Sequence, residues 1–245
     1  MAMALYVARS PLVAGAMLAL GLSACSSEQP APSPAQTLPA AEREAGRAQA
    51  AGERQLFFGD LHLHTSYSLD AAAARTETTP DDAYLFAQGK PIAYLGKSYR
   101  RHAPLDFLAV TDHAEYLGNV RAAMRGEIGL PGDQANWRRL LSHQGGATMF
   151  ELFGVAVRGL YGEPSEGFTD PARSHGAWQE IIAAAQRHYR PGQFTTLVGF
   201  EYSPTFRSNR AHLHRNVIFR GPDYPVMPFA ATDSMHHEAL WAWAD

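Results

Sequence analysis

The sequence predicts a parallel α/β fold with a barrel-like arrangement, and three observations predict it. Short apolar runs with strand character alternate with segments of helical periodicity. Charged and imidazole residues collect at strand ends, Asp112-His113 after one run and Glu201 at the end of another, which is where a barrel assembles its site. Hydrophobic residues make up 46% and charged residues 18% of the 245 positions, so there is apolar mass enough for one packed domain.

Residues 1–24 read as a signal peptide. An apolar run from Leu12 to Leu22 follows Arg9, is too short to span a bilayer comfortably, and ends in Leu22-Ser23-Ala24-Cys25. This segment resembles a bacterial lipobox, which implies lipidation at Cys25, a membrane reached through a lipid anchor, and a cell-envelope location on the periplasmic face or outer membrane. Cys25 is the single cysteine, so an internal disulfide and a cysteine zinc knuckle are both excluded. Residues 25–54, rich in Ser, Pro, Ala, Gln and Glu, lack the large apolar side chains of a core and read as a flexible tether.

The folded body is expected over residues 55–245. Leu56-Phe57-Phe58 leads into Gly59-Asp60-Leu61-His62-Leu63-His64, where alternation with period two sends both imidazoles to one face, about 7 Å apart at the backbone. Thr79-Pro80-Asp81-Asp82 starts a helix that Gly89 stops. Leu105 to Thr111 is a buried strand ending at Asp112-His113. Gly118 to Ser174 reads as an insertion or lid, with helical pieces at Trp137 to Leu141 and Met149 to Leu160. Ala177 to His188 is a helix, Thr195 to Glu201 and Leu213 to Phe219 are strands, and Glu238 to Ala244 begins a further helix.

A net charge of −3 and the lack of a long Lys/Arg run argue against nucleic acid as a partner. There is no Gly-x-Ser-x-Gly elbow, P-loop or dinucleotide fingerprint. What stands out is eleven histidines, several beside carboxylates, which is the composition metal chemistry requires. The His62-x-His64 pair suits chelation of one cation, and Asp70 is close enough in sequence to bring a carboxylate to a second.

Two stretches, Gly59-Asp60-Leu61-His62-Leu63-His64-Thr65-Ser66-Tyr67-Ser68-Leu69-Asp70 and Phe107-Leu108-Ala109-Val110-Thr111-Asp112-His113, resemble the first two motifs of the polymerase and histidinol phosphatase (PHP) superfamily. Leu197-Val198-Gly199-Phe200-Glu201-Tyr202 resembles its Glu motif. His214-Arg215-Asn216-Val217-Ile218-Phe219 resembles the His segment of one branch, the domain-of-unknown-function family numbered 3604. The resemblance implies the N-terminal part of a distorted TIM-like β/α barrel that holds two or three Zn, Mn or Fe ions and hydrolyses small-molecule phosphate esters with metal-activated water. It implies metal ligation by His62, His64, Asp70, His113, Glu201 and His214, with Glu201 bridging. Asp70 stands where several members have histidine. Asp112 would orient a neighbour, and Asn216 could act similarly. Tyr67, Arg207, Arg210 and Arg215 are the groups that could meet a phosphate, Arg215 first among them. The family's Pro-His-Asn segment and late Asp-x-His pair do not occur before Asp245, which implies an incomplete site and weak turnover by this chain.

Two rival readings stand beside this one. An amidohydrolase-like hydrolase also opens with His-x-His on its first strand but is not expected to carry Thr-Asp-His after the second. An inactive or metal-binding envelope lipoprotein would keep the ligands without turnover. His102, His143, His175 and His188 read as surface or capping residues, His236 and His237 as solvent-exposed, and Trp241 and Trp243 as core-facing.

Overall fold

A computed structural model describes residues 55–128, 154, 157–163, 167–209 and 211–245. Cys25 and the signal and tether segments lie outside the described residues, as do Trp137 to Leu141, His143, Arg210 and most of Met149 to Leu160. In chain order the elements are β1 (Gly59–Asp60), α1 (Leu69–Ala73), α2 (Pro80–Ala87), β2 (Ile92–Tyr94), β3 (Lys97–Tyr99), β4 (Phe107–Val110) and α3 (Asn119–Met124). A 3-10 turn (Gly159–Tyr161) follows, then α4 (Pro171–His188), β5 (Thr195–Tyr202), β6 (Thr205–Phe206), β7 (Ala211–His212), β8 (Arg215–Ile218) and α5 (His237–Ala244). No helix among the described residues is long and apolar enough to cross a membrane.

The main sheet has the order β1-β4-β5-β8 and makes a mixed α/β fold with a curled half-barrel sheet. β1, β4 and β5 run parallel, as expected. β8 departs from the expectation of an all-parallel sheet, because it pairs antiparallel with β5, Glu201 opposite Asn216 and Tyr202 opposite Arg215. The reason is the connection: only the short β6–β7 hairpin lies between β5 and β8, and a parallel return needs a crossover of a dozen residues or more, usually helical.

Two of the helices form as their end signals dictate. Thr79 caps α2 with a full capping box, its side chain accepting from Asp82 N while the Asp82 carboxylate accepts from Thr79 N. α4 starts earlier than its apolar periodicity shows, at Pro171, because Asp170 accepts from the backbone of Ala172 and Arg173. Ala177, Trp178, Ile181, Ile182, Ala184 and Ala185 make its buried stripe.

That stripe packs with Tyr84 of α2 against Leu108, Val110, Val198 and Phe200, the side chains on one face of β4 and β5. Trp178 meets Phe200 edge-on at 6.0 Å, and Trp243 of α5 covers the same ring at 5.7 Å. Trp241, expected in the core, is instead 53% exposed beside His237. The opposite face carries Thr111, Gly199 and Glu201. A Cβ at Gly199 would come within 2.7 Å of Val217 O, so glycine lets β8 close in and the sheet curl. The curl brings Asn216 of β8 round to β1, where its Nδ2 donates to Leu61 O at 2.9 Å.

Candidate metal centre

The site is built where β1, β4 and β5 run out. Beyond β1 the chain stays extended, with Leu63 N donating to Thr111 Oγ1 at 3.1 Å and Thr111 N donating back to Leu63 O at 2.9 Å. Leu63 is thereby fixed against β4, and His62 and His64 on either side of it turn to the same place. Beyond β4, His113 forms a parallel bridge with Glu201. Asp70 arrives on α1, where Ser68 Oγ and Ala71 N both donate to its Oδ1 at 2.6 Å. His214 precedes β8.

These residues converge on Glu201, whose side chain is 1% exposed. Its Oε2 lies 2.8 Å from His64 Nε2, 3.2 Å from His113 Nδ1 and 3.3 Å from His62 Nε2, and its Oε1 lies 2.9 Å from His214 Nδ1. Asp70 Oδ2 sits 3.1 Å from His64 Nδ1 and 3.8 Å from His113 Nε2. Three ligand triads result: His62, His64 and Glu201; His64, Asp70 and His113; His113, Glu201 and His214. All six residues assigned to metal from the sequence are brought together.

The electrostatics are those of imidazoles and carboxylates sharing one buried site. Burial lowers the His64 pKa, but the hydrogen bond to Asp70 and the close Glu201 carboxylate outweigh it and raise the imidazole to about 10. Burial would likewise raise Asp70 and Glu201, yet the surrounding imidazoles hold both below the usual carboxylate range. Burial pushes His113 down to about 4, which leaves it neutral with a lone pair to give. Glu201 Oε2 is buried without a properly aligned hydrogen-bond donor although three ring nitrogens surround it. A buried orphaned carboxylate oxygen amid imidazole nitrogens fits a metal ion.

Asp112 does not join the triads. It is fully buried and accepts from Thr65 N at 2.5 Å and Thr65 Oγ1 at 2.7 Å, and burial raises its carboxyl to about 6 against the pull of those two bonds. It fixes the turn just after His64. Arg215 is not brought to the cluster: it stands opposite Tyr202, on the face of the sheet away from Glu201, and donates to Leu213 O. Tyr67 lies under the Arg121 guanidinium, 5.0 Å from it. His102, His175 and His236 are exposed. His188 ties α4 to α2 through Asp81 Oδ1 at 2.8 Å, a carboxylate partner that sequence spacing did not show.

Two residues were missed. Glu115, fully buried, accepts from Ser203 N at 3.1 Å and Ala231 N at 2.6 Å, and burial raises its carboxyl to about 7. Ser203 Oγ lies 2.5 Å from His113 Nδ1. Neither had a signal in the sequence: Glu115 lies in the turn beyond the strand, two residues after His113, and only the tertiary fold supplies its partners.

A family model described as "Protein of unknown function (DUF3604)" matches residues 51–245. No curated protein and no solved structure matches the chain.

Proposed function

Because the chain belongs to the DUF3604 family, whose function is unknown, its chemistry is read from the site, and we propose a metal-dependent hydrolase of phosphate esters akin to the PHP superfamily. One observation carries the reading: a buried carboxylate, Glu201, ringed by four imidazoles within 3.3 Å, with Asp70 beyond them. His62, His64, Asp70, His113, Glu201 and His214 would hold two or three cations, with Glu201 shared. Cations held there supply Lewis-acid polarisation of an ester oxygen and lower the pKa of water from about 15.7 towards 7.

The chain's own residues do the rest. Asp112, through Thr65, and Ser203 and Glu115, beside His113, hold the ligands in place as outer partners of metal-binding imidazoles do. His62, 56% exposed, marks the solvent side from which a small ester reaches the cluster, while His113 and Glu201 form its dry floor. Anchoring in the cell envelope through Cys25 completes the proposal.

The test uses the full chain. Elemental analysis should find Zn, Mn or Fe, and His62→Ala with His64→Ala should remove most of it. With Mn or Zn added, p-nitrophenyl phosphate should be hydrolysed slowly, and Glu201→Gln should remove that turnover. Failure to take up metal overturns the reading, as does turnover indifferent to Glu201. Metal held without turnover of any ester favours a binding role.

A further inference from the structure

Between Glu201 and His214 the chain makes the β6–β7 hairpin, which ligation does not explain. Thr205 pairs with His212 and Phe206 with Ala211. Thr205 Oγ1 lies 3.3 Å from His214 Nε2 and 3.3 Å from His212 Nδ1, so the base of the hairpin touches a metal-ligand candidate. Beside it opens a cavity of about 270 Å³ lined by Tyr161, Thr205, Phe206, Arg207 and His212. The cavity therefore shares Thr205 with the metal centre.

The charge in this cavity is organised. Arg207 stacks on Tyr161, its guanidinium carbon 4.2 Å from the ring centroid, and donates to Glu163 Oε2 at 3.0 Å. The same Glu163 oxygen is 3.5 Å from Arg158 Nε, so one carboxylate is divided between two guanidiniums and the group stays net positive. Stacking and ion pairing together fix the plane of the Arg207 fork, and one of its five N–H groups is spent on Glu163. Tyr161 and Phe206 supply ring walls.

We propose that this cavity is the substrate-selecting subsite, receiving the alcohol part of a phosphate ester that carries a second, acidic group, with Arg207 as the specificity-determining residue. The inference rests on the phosphoesterase reading of the metal centre. An ester whose phosphoryl group sat among His113, Glu201 and His214 would direct its leaving part past His214 towards Thr205, beyond which the cavity offers a fixed cation and aromatic walls.

The experiment compares 4-carboxyphenyl phosphate with phenyl phosphate on the Mn-loaded full chain, and separately measures binding of the matching non-hydrolysable phosphonates by calorimetry. Wild type should favour the carboxylated compound by about tenfold, through KM in turnover and Kd in binding. Arg207→Ala and Arg207→Gln should bring both ratios close to unity with metal content unchanged; Arg207 is 59% exposed, so neither change threatens the fold. No preference in wild type, or a preference that survives both variants, overturns the subsite. Arg207-dependent binding without turnover of either ester removes the hydrolase reading and leaves the subsite standing.

Discussion

His64 is held protonated by its two carboxylate neighbours, and a cation binding there would have to expel that proton. Its Nε2 is 2.8 Å from Glu201 Oε2 and its Nδ1 3.1 Å from Asp70 Oδ2, and these contacts raise its pKa from 6.5 to about 10 although burial works against them. A displacement of that size is roughly 5 kcal/mol of preference for the charged ring. Around pH 8, well below the raised pKa, each first cation should therefore release about one proton, and apparent affinity should rise about tenfold per pH unit below pH 10. Calorimetric titration of Mn into the metal-free full chain, in two buffers of different ionisation enthalpy, counts the proton directly. Asp70→Asn removes the strongest of the contacts holding the proton, so the count should fall. The same raised pKa stabilises the metal-free fold fully below pH 6.5 and is lost as pH rises through about 10. The melting temperature of the metal-free chain should decline over that window, and that of the loaded chain, whose His64 is already neutral, should not. No proton released and an affinity flat with pH would refute the assignment of His64 as both ligand and proton holder.

Glu115→Ala should destabilise the full chain by about 2–4 kcal/mol in urea, because it leaves the buried N–H groups of Ser203 and Ala231 without an acceptor. Glu115→Gln keeps an acceptor for both and should stay within about 1 kcal/mol of wild type; an alanine variant equally close would show that the two bonds do not hold this corner. Cys25→Ser should leave an unprocessed precursor without acyl label, and equal labelling of the variant would remove the anchoring proposal.

The His62-x-His64 pair and the nearby Asp70 were legible from spacing alone, whereas metal roles for His113, Glu201 and His214 came as what the resemblance implies. His62 and His64 need only an extended chain to face together, and His113 and Glu201 each sit where an apolar run ends. The direction of β8 was not legible from its own residues, since an apolar run of this kind serves a parallel or an antiparallel strand equally; the shortness of the link from β5 decided it. The β2–β3 hairpin went unread because its turn relies on Leu95 at φ 49 next to Gly96 at φ 72, and leucine gives no hint of that conformation. Arg215 looked like a phosphate contact because its guanidinium offers a planar donor fork, but alternation along β8 sends it to the other face. Glu115 was passed over as one acid among many, and only the tertiary meeting of Ser203 and Ala231 gives it a task.

The hydrogen bond from Asn216 to Leu61 joins residues 155 apart in sequence, and it lies beside the residues that bring His62 and His214 to one carboxylate. In kinetic terms this seam is the step of highest contact order in the sheet, and chain entropy opposes it until both ends have arrived. On the proposed reading, a divalent ion captured by the first histidines would offer the late-arriving segment a waiting partner. Availability of that ion during refolding would then set how fast the curl closes, and a chain folded without it would spend longer with two sheet edges open to other copies of itself.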